Sequence, residues 1–193
     1  MTSKEIYRYP KFKTGTVSFV DGRNSVASLN YNMLYGEMEF IGPGNDTMAL
    51  AEEQTLKWVV IEKDTFYYDE KFLLQISSYG TKIIARNMDW KIVRMDKVGA
   101  FDQPVFAGAD AYGVLDDRRS IKIQVRETIT LALKPYYYLG DRRKFYPLTK
   151  KNIMKVYPKY DKIISAYLEQ EQIDYNKEKD VLKLFNYLQS IDR

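Results

Sequence analysis

Apolar residues recur at helical spacing only in the last part of this chain, from residue 148 onward. There the sequence "LTKKNIMKVYPKYDKIISAYLEQEQIDYNKEKDVLKLFNYLQSI" reads as three helices. Thr149 stands where a side-chain oxygen can cap the first, which must end near Tyr157 because a residue preceding proline avoids helical geometry. Pro158 suits the opening turn of the second. In that helix Tyr160, Ile163, Ile164, Tyr167 and Leu168 fall at offsets 0, 3, 4, 7 and 8, a single apolar stripe. Asn176 is placed to cap the third helix, where Val181, Leu184, Phe185 and Leu188 repeat the stripe. Such stripes need a surface to cover them.

Upstream the pattern has period two. Val17 and Phe19 alternate with polar neighbours, Asp21-Gly22 supplies a turn, and Met38 and Phe40 alternate with Glu37 and Glu39. Further strands are expected at 55–62, 65–68, 71–79 and 81–87. Strands first and helices last give an α+β protein. The expectation is an antiparallel β meander, a sandwich or partial barrel, closed by a C-terminal three-helix segment. Residues 15–146 form the β-rich domain, including a long loop at 97–118, and residues 147–193 form the helical bracket packed on it.

The chain has 193 residues, with neither histidine nor cysteine. That removes Ser-His-Asp and Cys-His nucleophile activation, disulfides and conventional zinc sites. Phosphate-loop, dinucleotide and EF-hand motifs are also missing from the sequence, so no catalytic residue, metal or cofactor is expected. Any catalysis would fall to carboxylates, lysines or tyrosines with shifted pKa values. No run reaches the length of a membrane-spanning helix.

Three constellations remain as candidates. In "SIKIQVRETITLALKPYYYLG", a long strand or bent pair, Glu127 shares the parity of Ile121, Ile123, Val125, Ile129, Leu131 and Leu133. Either the strand bends and lets Glu127 reach water, or a carboxylate is aimed into a cavity. Seventeen tyrosines and two tryptophans offer stacking surfaces, with Tyr112, Tyr137 and Trp90 as candidate ligand contacts beside Glu127. The competing account is that aromatics at strand positions fill the core. Finally, residues 142–162 carry eight basic side chains and one acid, making Arg142, Arg143, Lys155 and Lys159 candidate anion-binding residues. The competing account is a solvated helix face, balanced by the nine acids and two lysines of 37–70. A net charge of only +4 argues against nucleic acid as the partner.

The C-terminal pattern, preceded by "YYYL", resembles the tail of a group of uncharacterised envelope or secreted proteins of Bacteroidota-type bacteria. The same group is similar in its "GxVxFxDG…LNYN…GEMEFI" opening, here Gly15 to Ile41, and in a "KxGA(Y/F)" loop, here Lys97 to Phe101. "VYP" at 156–158 departs from the phenylalanine expected before the proline. The resemblance implies a periplasmic or secreted location, the leader having been removed, with the cytoplasm as the alternative. It implies an architecture and no reaction. The expected function is a non-enzymatic envelope-associated scaffold or binding module, meeting a protein or glycan through the 97–118 loop and exposed tyrosines. A homodimer is compatible with it. The alternatives are a carboxylate-based hydrolase of glycan or envelope material, built on Glu127, and an anion or nucleic-acid binder built on 142–162.

Overall fold

The computed structural model describes residues 6–98, 104–106, 127–141 and 144–192. Its strands are β1 (Lys13–Phe19), β2 (Asn24–Asn32), β3 (Glu37–Ile41), β4 (Thr47–Ala49), β5 (Leu56–Ile61), β6 (Asp64–Asp69), β7 (Lys71–Tyr79), β8 (Lys82–Asn87), β9 (Trp90–Val98), β10 (Pro104–Phe106), β11 (Glu127–Leu133), β12 (Tyr136–Asp141) and β13 (Lys144–Pro147). Three α-helices follow: α1 (Lys150–Val156), α2 (Asp161–Glu171) and α3 (Glu178–Ile191). The protein is α+β, as the order of the patterns requires.

Ten strands form one open antiparallel sheet in the order β13-β12-β8-β7-β6-β5-β1-β2-β3-β4. Most neighbours in sequence are neighbours in the sheet, joined by turns of one to five residues, but β5 lies beside β1 and not beside β4. Gly22 takes the positive φ of +92° that the first hairpin demands. The longest departure from the meander is at β8, whose partner β12 comes from far along the chain: Asn87 pairs with Tyr136 on the same rung. The intervening chain leaves the sheet there. It builds a second, three-stranded sheet in the order β10-β9-β11, rooted where Trp90 pairs with Leu133.

The large sheet curls. Four strand spacings separate β2 from β7, roughly 19 Å in a flat sheet. Yet the Tyr31 ring lies 6.0 Å from that of Phe72 and 5.4 Å from that of Phe66. One face is therefore concave around a first core of Val17, Leu29, Tyr31, Met38, Ile61 and Phe72, all almost wholly buried. Aromatic and aliphatic residues at alternate positions drive the curl by burying each other across the hollow.

Farther along the same face the helices serve as the cover. Ile84 of β8 and Tyr137 and Leu139 of β12 share a core with Ile153, Ile164, Leu168, Val181, Leu184, Phe185 and Leu188. The helical bracket thus lies flat on the sheet, with Ile164 at 0% and Phe185 at 1% exposure. A smaller cluster of Leu73, Ala85 and Phe145 sits on the convex face.

Several local expectations are met and several corrected. Thr149 caps α1, accepting a hydrogen bond from the Asn152 N–H at 3.3 Å. Tyr157 ends it before Pro158. Asn176 does not cap α3; Lys177 occupies that position with no side-chain bond, because the preceding turn is organised by Asp174. The Asp174 carboxylate accepts from the Asn176 N–H at 3.0 Å, and its own N–H donates to Asp180 at 3.2 Å. Ile163, assigned to the apolar stripe, is 53% exposed, since the sheet covers only the Ile164–Leu168 side of α2. Glu39, which alternates with the apolar Met38 and Phe40, is itself buried at 7% exposure. The stretch after residue 126 is a bent pair broken at Lys134-Pro135, with a register shift between Thr130 and Leu131.

Candidate binding cleft at the open end of the curled sheet

A curled sheet has two ends, and this chain treats them differently. One end is closed by polar clasps. Beyond Leu29 the side of β2 left free by β1 is taken by residues 6–9: Arg8 N–H donates to the Tyr31 carbonyl at 3.0 Å and Met33 N–H to that of Ile6 at 2.8 Å. This is why Asn30 is buried despite its polarity. Its side-chain oxygen accepts from the Tyr9 N–H at 3.1 Å, and its amide donates to the Tyr9 carbonyl at 2.9 Å.

Three carboxylates sit in these clasps, each met by donors of the chain itself. Glu39 accepts from the Tyr7 hydroxyl at 2.6 Å and from Asn32 at 2.9 Å. Asp64 accepts from Arg8 at 2.8 Å and from the Tyr9 hydroxyl at 2.6 Å. Asp89 accepts from the Tyr31 hydroxyl on one oxygen and from Asn87 on the other. Burial, reinforced by the neighbouring Asp89 charge, pushes the Tyr31 hydroxyl far above its ordinary range, so it stays a donor. Gly36 turns beside this acid with φ +70°, and a Cβ there would come 3.2 Å from the Asp89 carboxyl carbon. The Trp90 N–H donates to the Met33 carbonyl at 2.8 Å, tying the start of β9 to the β2–β3 turn.

The other end is open and apolar. A cleft of about 480 Å³ lies on the concave face, lined chiefly by Val17, Phe19, Ala27, Phe40 and Leu50, with Ser25 at its lip. Register puts these residues together: Val17 stands opposite Ser25, Leu29 opposite Phe40, and Phe40 opposite Met48. The first core ends here without a cover among the described residues, which leaves Met48 50% exposed. The rim is acidic: Gly42 to Leu56 contains three acids, Asp46, Glu52 and Glu53, and no lysine or arginine, and Asp46 and Glu52 are exposed. Arg23, 5.3 Å over the Phe19 ring, is already bonded to Asp21 at 2.7 Å.

A second depression of about 510 Å³ lies on the outside of α2 and α3. It is a shallow surface on which Tyr167 and Tyr187 stack 3.6 Å apart beside the exposed Ile163.

Those residues singled out in the sequence that are among the described ones are dispersed. Tyr137 is 5% exposed in the helix-covered core, its hydroxyl 3.5 Å from Glu178. Trp90 is half-buried and packs against the first core. Glu127 opens β11, its backbone paired with Lys97 of β9. Tyr112, Arg142, Arg143 and most of the 97–118 loop lie outside the described residues. Lys155 points its ammonium at the Tyr146 ring, 4.7 Å from the centroid, and Lys144 approaches the same ring at 5.7 Å. Lys159 is exposed. Two acids of 37–70 meet cations near the N-terminus, Asp64 with Arg8 and Glu62 with Lys13, both at 2.8 Å, and Asp69 accepts from the Phe145 N–H at 2.9 Å, a backbone bond and not an ion pair with the 142–162 lysines. Lys150 pairs instead with Glu169 of α2 at 3.3 Å.

No periodic pattern in the sequence marks the cleft. The signal for it was faint: "GPGNDTMALA" follows β3 with apolar residues and no covering helix pattern. Among the described residues no cluster of three or more acids could hold a metal, and no helix is long and apolar enough to cross a membrane. No known family model matches this chain, and no curated protein or solved structure matches it either.

Proposed function

We propose that this protein is a non-enzymatic binding module of the cell envelope, and that the cleft at the open end of the curled sheet holds an apolar group of its partner. The supporting observation is the contrast between the two ends. Hydroxyl, amide and carboxyl groups converge where the sheet is clasped shut, and apolar side chains converge where it is open. An apolar concavity with a single hydroxyl at its lip favours an aliphatic guest over a sugar, which would demand several donors and acceptors. The envelope location rests on the resemblance of the tail and of the Gly15–Ile41 opening.

Nile red, a neutral apolar dye, tests the reading. Its fluorescence rises on binding the wild-type protein, and Ser25→Trp, a change at an exposed position on the lip, abolishes the rise by filling the cleft. Equal dye binding by both proteins overturns the assignment of the site.

A further inference from the structure

The cleft opens beside the free margin of β4, and the two features have one occupant in common. We infer that the partner is an extended peptide segment that joins β4 as a further strand, presenting an apolar side chain to the cleft and basic side chains to its rim. This rests on the reading of the cleft as the binding site.

Backbone direction is the first argument. The Gly42 N–H donates to the Asp46 carbonyl and the Leu50 N–H to the Met38 carbonyl, both at 2.8 Å, so residues 46 and 50 face β3. By alternation Thr47 and Ala49 direct their N–H and C=O groups away from the sheet, where no described strand lies. Both are exposed.

Face is the second. Met48 pairs with Phe40 and shares the cleft side, so a peptide residue opposite Met48 stands over the cleft. The third is the contrast with the opposite margin. There β13 carries Lys144 and Pro147, the usual guards against strand addition, and β4 carries neither.

Charge decides between occupants. A second copy paired through β4 would bring two acidic rims together, which repels. A basic strand is complementary.

The experiment uses the whole protein and a fluorescein-labelled peptide of alternating lysine and valine, read by anisotropy. Ala49→Pro removes an N–H that points to solvent, so it leaves the internal ladder intact. Peptide affinity is expected to fall about tenfold with that variant, with a backbone N-methylated peptide, and with glutamate in place of lysine. Nile red binding to Ala49→Pro stays at the wild-type level. Equal binding of the methylated peptide overturns strand addition. Dye binding without peptide binding overturns the inference and leaves the cleft assignment standing, whereas peptide binding with a dye signal indifferent to Ser25→Trp removes the cleft assignment and, with it, the apolar anchor of the inference. Sedimentation that shows a dimer lost in Ala49→Pro gives the margin to a second copy and also overturns the inference.

Discussion

The hydroxyls of Tyr79 and Tyr157 lie 2.6 Å apart, joining the end of β7 to the end of α1 beneath the third helix. Burial pushes the Tyr79 hydroxyl up to about 12, and burial with the bond to Tyr79 pushes Tyr157 higher still. Tyr31, Tyr67 and Tyr137 are raised by the same desolvation.

These shifts fix the sign of an alkaline transition. In the unfolded chain the tyrosines ionise near pH 10. The folded state holds them protonated, so their stabilisation is fully present below that pH. It is lost as pH rises from about 10 toward 12, while the unfolded state sheds protons first. Thermal melts at stepped alkaline pH should show a steep drop there. A spectrophotometric titration should show the buried tyrosines ionising only with unfolding. A single wave involving all the tyrosines would contradict the buried hydroxyl pair.

The bracket is tested by two changes on adjacent helices. Phe185→Ala empties a position that is 1% exposed and should lower unfolding stability by about 3–5 kcal/mol. Ile163→Ser, on a side chain 53% exposed, should stay within about 0.5 kcal/mol. Urea midpoints read both. Comparable losses would mean that Ile163 of α2 is covered as fully as Phe185 of α3.

The closed end is tested through Asp89. Tyr31→Phe takes away one donor and leaves a buried carboxylate short of it, a loss of about 1–3 kcal/mol. Gly36→Ala should cost about 1–2 kcal/mol, because the position holds φ +70° and faces the same carboxyl group. If Tyr31→Phe proves neutral by chemical denaturation, the clasp contributes nothing to stability.

A gain is expected at Glu70. It turns between β6 and β7 with φ +61°, a conformation that strains any residue bearing a Cβ. Glu70→Gly should raise stability by roughly 0.5 kcal/mol, the relieved strain exceeding the entropy glycine loses. A lower melting temperature would show that the Glu70 side chain holds the turn.

What could be read from the residues follows from the range of the forces involved. The Asp21-Gly22 turn, the Thr149 cap and the Pro158 break are local devices, and all three are where the sequence placed them. Parity told which residues of β1 face inward, because Val17 needs only its neighbours to declare a side. Parity could not tell how far the sheet bends. The curl depends on Tyr31 meeting Phe72, a contact between strands with three others between them. Ile163 and Glu39 escape parity for the same reason: exposure of the first depends on where the sheet stops, and burial of the second on Tyr7 folding back over it. The cleft is a product of that curvature, so no short segment announces it.

Asn87 and Tyr136 share a rung, which makes the chain between them a detour that departs and returns at one address. Its length is free of the sheet's register, since closing a longer loop costs only logarithmically more. Lengthening or trimming the excursion beyond its Trp90–Leu133 root leaves every other strand with its present neighbour. The fold therefore carries a built-in port, where new sequence can be spliced in without renegotiating the frame that holds the cleft.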